Sequence, residues 1–68
     1  MKLTDIIDRI KSRFPVWHHV NYGVQTIQSF DKEALASAIV SLEVEGIRCS
    51  EIRKSLNSYY FVQVLTHN

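Results

Sequence analysis

The residues of this chain that could carry out chemistry are one cysteine and three histidines. Cys49 would need a neighbouring base to act as a nucleophile, and the candidate bases are His18, His19 and His67. None of them has an acidic residue at an informative spacing, and adjacent histidines on an extended segment point to opposite sides. The chain also lacks the CxxC or HxxxH spacing of a zinc site. We therefore expect no metal and no cofactor, and we interpret Cys49 as a small buried strand residue.

The carboxylates give no better support for enzymatic chemistry. Most of them fall on the polar faces of predicted helices, where they favour solubility and the helix dipole rather than general acid and base catalysis. Two glycines are too few for a phosphate-binding loop, and no GxGxxG, P-loop or GxSxG motif occurs. The sequence therefore predicts a protein that is not an enzyme.

Length and composition predict a single globular domain over residues 1–68. A chain of 68 residues with 46% hydrophobic and 22% charged residues can fold, but its core must be thin. One cysteine allows no internal disulfide, which favours a reducing compartment. The first residues contain acidic side chains and lack the apolar run of a signal peptide or membrane span. We expect a cytoplasmic protein that does not bind membranes.

The first half of the chain predicts a helix followed by a strand. Apolar residues recur at helical spacing over residues 3–14, and Pro15 ends that pattern. Residues 16–30 are rich in β-branched and aromatic residues, which favours a strand over about residues 20–29 in spite of Gly23. Because apolar residues in this segment also recur at helical spacing, an upstream extension of the next helix is the alternative.

The second helix has a start signal and a stop signal. Asp31 is an N-cap residue, and Phe30 and Leu35 have the spacing of a hydrophobic staple. Gly46 occupies the position of a left-handed residue that ends a helix in a Schellman motif. These signals predict a helix over about residues 32–45.

The last third of the chain predicts a hairpin. The runs IRCSEIRK and YYFVQVLT would pair with Cys49 opposite Val64 and Arg53 opposite Tyr60, through a two-residue or a longer loop. The second run has apolar residues on both faces, which indicates either a central strand or a strand with one face buried by the first helix or by a partner. Residues 50–57 as a recognition helix are the alternative. The whole pattern predicts an α+β fold: an N-terminal helix, then strand, helix, strand, strand, with helices on one face of a small three-stranded mixed or antiparallel sheet.

Two surfaces are candidates for binding. Trp17 is a large aromatic residue in a predicted connecting loop beside His18, which suits a protein interface. The hairpin carries arginine, lysine and tyrosine side chains, which could stack bases and contact phosphates. A net charge of +1 argues against nucleic acid as the first choice. The residues that we expect at a protein-binding surface are Trp17, His18, Arg48, Arg53, Lys54 and Tyr59.

The segment from Ile27 to Arg53 resembles the strand-helix-strand core of small phage-encoded inhibitors of host proteins. The resemblance rests on FDKEALASAI, on the helix-ending Gly46, and on a strand that contains Arg48 and Arg53. It implies a compact body that occludes a site on a larger protein. We therefore predict a non-catalytic interaction module that binds a protein, with a nucleic-acid-binding module or a self-associating subunit as alternatives. Self-association would use the exposed face of YYFVQVLT and give a homodimer.

Overall fold

A computed structural model of the chain describes residues 3–66 as two helices and a five-stranded sheet. The elements are α1 (Leu3–Arg13), β1 (Trp17–Asn21), β2 (Val24–Ser29), α2 (Lys32–Val44), β3 (Arg48–Cys49), β4 (Arg53–Lys54) and β5 (Tyr60–Thr66). The strand order is β1-β2-β5-β3, with β4 also paired to β5, and every pairing is antiparallel. The predicted α+β class is confirmed, while the sheet has five strands where three were expected.

The second helix begins and ends where its sequence signals indicate. The Asp31 carboxylate accepts hydrogen bonds from the backbone N–H groups of Glu33 (3.0 Å) and Ala34 (3.3 Å). At the other end Gly46 has φ +84°, and the N–H of Ile47 donates to the carbonyl of Leu42 at 3.0 Å. This is the 6→1 bond of a Schellman motif. It turns the chain at once into β3.

Residues 16–30 form a hairpin instead of a single strand. Asn21 pairs with Val24, and the two turn residues, Tyr22 and Gly23, have φ values of 52° and 77°. Two consecutive positive φ angles are the requirement of a type I′ turn, whose twist matches that of the flanking strands. The alternative helix extension is wrong, and Trp17 lies in a strand rather than in a connecting loop.

The edge formed by β3 and β4 confirms half of the predicted register. Cys49 pairs with Val64 as expected, but Arg53 pairs with Phe61 rather than with Tyr60. The difference at Arg53 arises at Ser50. The Ser50 hydroxyl accepts the N–H of Gln63 at 2.8 Å, whereas a regular antiparallel pair would use a backbone carbonyl as the acceptor. The register therefore changes by one residue between the two short strands.

The segment of residues 50–57 contains no helix. The N–H of Ser55 donates to the carbonyl of Tyr59 at 2.8 Å, and Ser58 has φ 68°. This is a loop of three residues that ends in a left-handed residue, so the longer of the two predicted loops is the one formed. The recognition-helix alternative is wrong.

Both helices pack on one face of the sheet, as predicted. The buried apolar side chains are Ile6, Ile7, Ile10, Val16, Ile27, Leu35, Ala38, Leu42, Ile47 and Val62. Strand β5 lies between β2 and the β3/β4 edge, so it is central as expected. Below this core, the fully buried Ser29 donates to the carbonyl of Pro15 (2.7 Å) and accepts the N–H of Asp31 (3.0 Å). Ser29 thereby links β2 to the segment after α1 and to the N-cap of α2.

Candidate functional site

The face of the sheet opposite the helices is here called the outer face. Ile27 and Val62 are paired and fully buried beneath the helices. Because side chains alternate along a strand, the neighbours of this pair, such as Gln28 and Phe61, point to the outer face. Trp17 pairs with Gln28 and therefore shares that face. The strands thus place an aromatic residue from β1 and one from β5 on either side of β2.

Four aromatic side chains form one cluster on the outer face, here called the aromatic cluster: Trp17, Phe30, Tyr59 and Phe61. The Tyr59 ring lies 5.9 Å from that of Trp17, 6.5 Å from that of Phe30 and 6.3 Å from that of Phe61 between centroids. Trp17 and Phe30 are 5.1 Å apart. The tilted and edge-on geometries are those that aromatic pairs prefer. Tyr59 is thus the centre of the cluster, and Phe30 is 69% exposed at its margin.

A chain of polar groups fixes the tryptophan ring. The Trp17 indole N–H donates to the side-chain carbonyl of Gln28. The Gln28 amide donates to the Thr26 hydroxyl at 3.1 Å, and that hydroxyl donates to the His19 carbonyl at 3.4 Å. Thr26 fixes the Gln28 amide, and Gln28 in turn fixes the Trp17 indole. The indole is therefore held in one orientation without a ligand. Such preorganisation lowers the entropic cost of binding.

A concavity of about 430 Å³ lies beside the cluster. Its lining residues are His19, Asn21, Tyr22, Val24, Thr26, Gln28, Tyr59 and Phe61. The lining combines polar side chains, one valine and three aromatic rings, and two of the rings also belong to the aromatic cluster. The volume is in the range of pockets that bind small ligands.

Tyr22 stands at the tip of the β1–β2 hairpin with 98% of its surface exposed and a left-handed φ of 52°. This backbone conformation costs a bulky L-residue about 1–2 kcal/mol, while asparagine tolerates it. An exposed aromatic side chain at a strained position contributes nothing to the core. The turn therefore holds the Tyr22 side chain on the surface at a cost in backbone energy.

Replacing Tyr22 tests whether the backbone at this turn position is strained. Tyr22→Asn creates the preferred Asn-Gly sequence of a type I′ turn, and we expect the free energy of unfolding to rise by about 1 kcal/mol. Urea denaturation monitored by circular dichroism measures this change. If Tyr22→Asn left stability unchanged or lowered it, the strain assigned to this turn would be absent.

Charges are distributed unevenly between the two layers. Strands β1, β2 and β5 contain no lysine, arginine, aspartate or glutamate. Most acidic residues lie in or next to the helices: Asp5, Asp8, Asp31, Glu33, Glu43 and Glu45. The exposed Arg53 pairs with Phe61, which places it on the outer-face side of the edge strand. The outer face is therefore aromatic and uncharged at its centre, with a cation at its margin.

The structure brings together three of the six predicted binding residues. Trp17 and Tyr59 are in contact within the aromatic cluster, and Arg53 lies at the margin next to Phe61. His18 is on the helix side of β1, where its Nε2 is 2.9 Å from the Gln25 side-chain oxygen.

The other two predicted residues lie apart from the cluster. Lys54 pairs with Tyr60, and its Nζ is 6.0 Å from the Tyr60 ring centroid on the helix side. Arg48 is exposed on β3 opposite Thr66, at the other end of β5. The cationic residues of the hairpin therefore do not form one patch.

Phe30, Phe61 and Gln28 are site residues that the sequence did not assign to binding. The spacing of Phe30 from Leu35 indicated a staple, but Phe30 packs against Trp17 and Tyr59 while Leu35 is fully buried. Phe61 shares a face with Tyr59, as residues two apart on an extended segment do. The available signal for the hairpin was Gly23, a residue that accepts positive φ, in the middle of a run rich in β-branched and aromatic residues.

Cys49 is half-buried on β3. Burial, together with the nearby Glu43 carboxylate, raises the pKa of its thiol to about 11. The thiol therefore stays protonated at neutral pH, whereas a nucleophile or a metal ligand must be a thiolate.

Alkylation of Cys49 tests this assignment. Because the pKa is raised from 9.0 to about 11, the thiolate fraction at pH 8 should be about 100-fold smaller in the folded chain than in the unfolded chain. We expect iodoacetamide to react at least that much more slowly in buffer than in urea, by mass spectrometry. Equal rates in the two solvents would show an exposed, reactive thiol.

Within residues 3–66, no group of three or more histidine, cysteine, aspartate or glutamate side chains is arranged to hold a metal ion. His67, considered above as a base, lies outside the described residues. Neither α1 nor α2 has the length and apolar character needed to cross a lipid bilayer.

Comparison with protein-family models, with curated proteins and with solved structures finds no match to this chain.

Proposed function

We propose that this chain is a non-catalytic module that binds another protein through the aromatic cluster on its outer face. The observation that carries the proposal is the cluster itself. Three rings contact one another, and the fourth, Phe61, contacts Tyr59, on the side of the sheet that the helices leave uncovered. Phe30 is 69% exposed. A domain with a thin core has little reason to place this much aromatic surface outside its core.

The composition of the outer face supports a protein as the ligand. The centres of protein interfaces are depleted of charge and enriched in tyrosine, tryptophan and phenylalanine, as this face is. Tyrosine and tryptophan supply large contact areas with few rotatable bonds, so little entropy is lost on binding. Arg53 at the margin would pair with an acidic group of the partner and add selectivity more than affinity.

Occlusion is the mode of action that we propose for such a module. The chain is small and, under this proposal, would act by covering a functional surface on a larger protein rather than by changing it chemically. Occlusion is what the resemblance of residues 27–53 to phage-encoded inhibitors implies. The single cysteine of the chain, which allows no internal disulfide, fits a reducing, cytoplasmic location.

Affinity capture with matched variants tests the proposal. The immobilised chain is exposed to a bacterial lysate, and bound proteins are quantified by mass spectrometry for wild type, Phe30→Ala and Val44→Ala. Phe30 is 69% exposed in the cluster, while Val44 is 79% exposed on α2. We expect Phe30→Ala to lose a protein that wild type and Val44→Ala both retain. Equal retention by all three chains would exclude the cluster as the binding site.

Nucleic-acid binding is the second candidate because Tyr59 and Phe61 lie beside Arg53 on the same side of the sheet. Exposed rings on a sheet can stack unpaired bases. Fluorescence anisotropy with labelled single-stranded RNA and DNA at low salt tests this function. Binding that weakens steeply with salt would favour it over the protein partner. No change in anisotropy would remove it.

A further inference from the structure

The two edges of the sheet differ in how they are protected. One edge consists of β3 and β4, two strands of two residues each, with a register shift between Arg48 and Cys49. This edge carries the charged Arg48, Arg53 and Lys54. Short strands, irregular register and charge are the devices that stop an edge from pairing with another strand. The other edge is β1, a regular strand of five residues with neither a charged residue nor a proline. Only the second edge is open to pairing.

The hairpin geometry determines which backbone groups of β1 are available. A two-residue turn makes Asn21–Val24 a hydrogen-bonded pair, and such pairs alternate with non-hydrogen-bonded ones along an antiparallel ladder. His18 and Val20 therefore direct their N–H and C=O groups away from β2. No strand among residues 3–66 lies on that side of β1. Val20 is also 55% exposed.

We propose that β1 pairs with β1 of a second copy of this chain, antiparallel and about a twofold axis that passes through His19. In this register His18 faces Val20 of the second copy, and each pair exchanges two hydrogen bonds. The two His19 residues face each other as a non-hydrogen-bonded pair. A register shift toward the start of β1 would require the buried Val16 as a pairing residue, and a shift toward its end would require the turn residue Tyr22. The centred register is thus the one that uses the whole strand.

A second copy fits this edge because the edge is self-complementary. The outward-pointing groups of His18 and Val20 lie symmetrically about His19, as an isologous contact requires. From Phe14 to Phe30 the sequence has no lysine, arginine, aspartate or glutamate, so two copies do not place like charges opposite each other at neutral pH. Pairing also makes the two outer faces continuous. Because a single strand edge is a small interface, we expect a reversible equilibrium with a dissociation constant in the range of about 1–100 μM.

Cysteine cross-linking tests the register directly. In a Cys49→Ser background, His19→Cys would place two thiols on facing residues about 4.5 Å apart between Cα atoms, within the range for a disulfide. Asn21→Cys is the matched control on the same face of β1, and its two copies would be roughly 14 Å apart. We expect the disulfide dimer of His19→Cys to form at least tenfold faster than that of Asn21→Cys. Equal rates would overturn the proposed register.

Sedimentation tests the association without a cross-link. Wild type should shift from monomer toward dimer with rising concentration, and Val20→Lys should weaken the dimer at least tenfold. Val40→Lys on α2 is the control, because Val40 is 59% exposed and Val20 is 55% exposed. Circular dichroism confirms that each variant is folded, and if Val20→Lys does not fold, the cysteine pair decides. A wild-type chain that stays monomeric at high concentration would overturn the proposal. The β1 edge would then be open only to a strand of a different protein.

Discussion

Replacing Tyr59 with alanine should weaken binding to the protein partner by about 30-fold, which corresponds to the about 2 kcal/mol of an interface hot spot. The reason is its position at the centre of the aromatic cluster. Its ring contacts those of Trp17, Phe30 and Phe61, so its removal opens a gap between three other rings. The loss is measured as the dissociation constant of the captured partner, by calorimetry with purified proteins.

Two further variants make the Tyr59 result interpretable. Tyr59→Phe keeps the ring contacts and should bind within about threefold of wild type if the ring carries the interaction. Val44→Ala removes an exposed apolar side chain from α2, and it should leave affinity unchanged. If Tyr59→Ala bound as tightly as wild type while remaining folded, the centre of the cluster would lie outside the interface.

Leu42→Ala should have the largest effect on stability, lowering the free energy of unfolding by about 2–5 kcal/mol. Leu42 has 0% exposure in the core, and its carbonyl accepts the hydrogen bond that closes the Schellman motif at the end of α2. A domain of this size has a total stability of roughly 3–10 kcal/mol. We therefore expect a substantial fraction of this variant to be unfolded near 37 °C.

Thermal unfolding followed by circular dichroism measures this effect. Val44→Ala lies two residues further along the same helix with its side chain 79% exposed, and it should change stability by less than about 0.5 kcal/mol. A similar loss in both variants would contradict the role of Leu42 burial, because alanine has the higher helix propensity in both substitutions and propensity alone would not lower stability.

The helices could be predicted because their signals are local. Asp31 and Gly46 act within one turn of the positions where α2 begins and ends, and each makes the contact that its residue type indicates. The apolar residues on both sides of YYFVQVLT likewise indicated a central strand, because this pattern can be seen within the strand itself.

The outer face was harder to predict because it depends on the register between distant strands. The turn of the β1–β2 hairpin contains Tyr22, a residue type that turn rules do not favour at positive φ. Ser50 displaces β4 by one residue, which changes the pairing of Arg53. Phe30 satisfied a local rule, yet it packs against the ring of Trp17 from β1 and that of Tyr59, the residue before β5. The aromatic cluster therefore appears only once the chain is folded.

Mapping the partner onto the ¹⁵N-labelled chain by nuclear magnetic resonance tests the docking site on the outer face most directly. The chain has a single tryptophan, so the indole N–H of Trp17 reports on the cluster in one resolved signal. On addition of the captured partner, we predict that this signal and the amides of Phe30, Tyr59 and Phe61 shift or broaden, while those of α1 do not. Changes confined to α1 and α2, with the Trp17 indole signal unmoved, would contradict a docking site on the outer face.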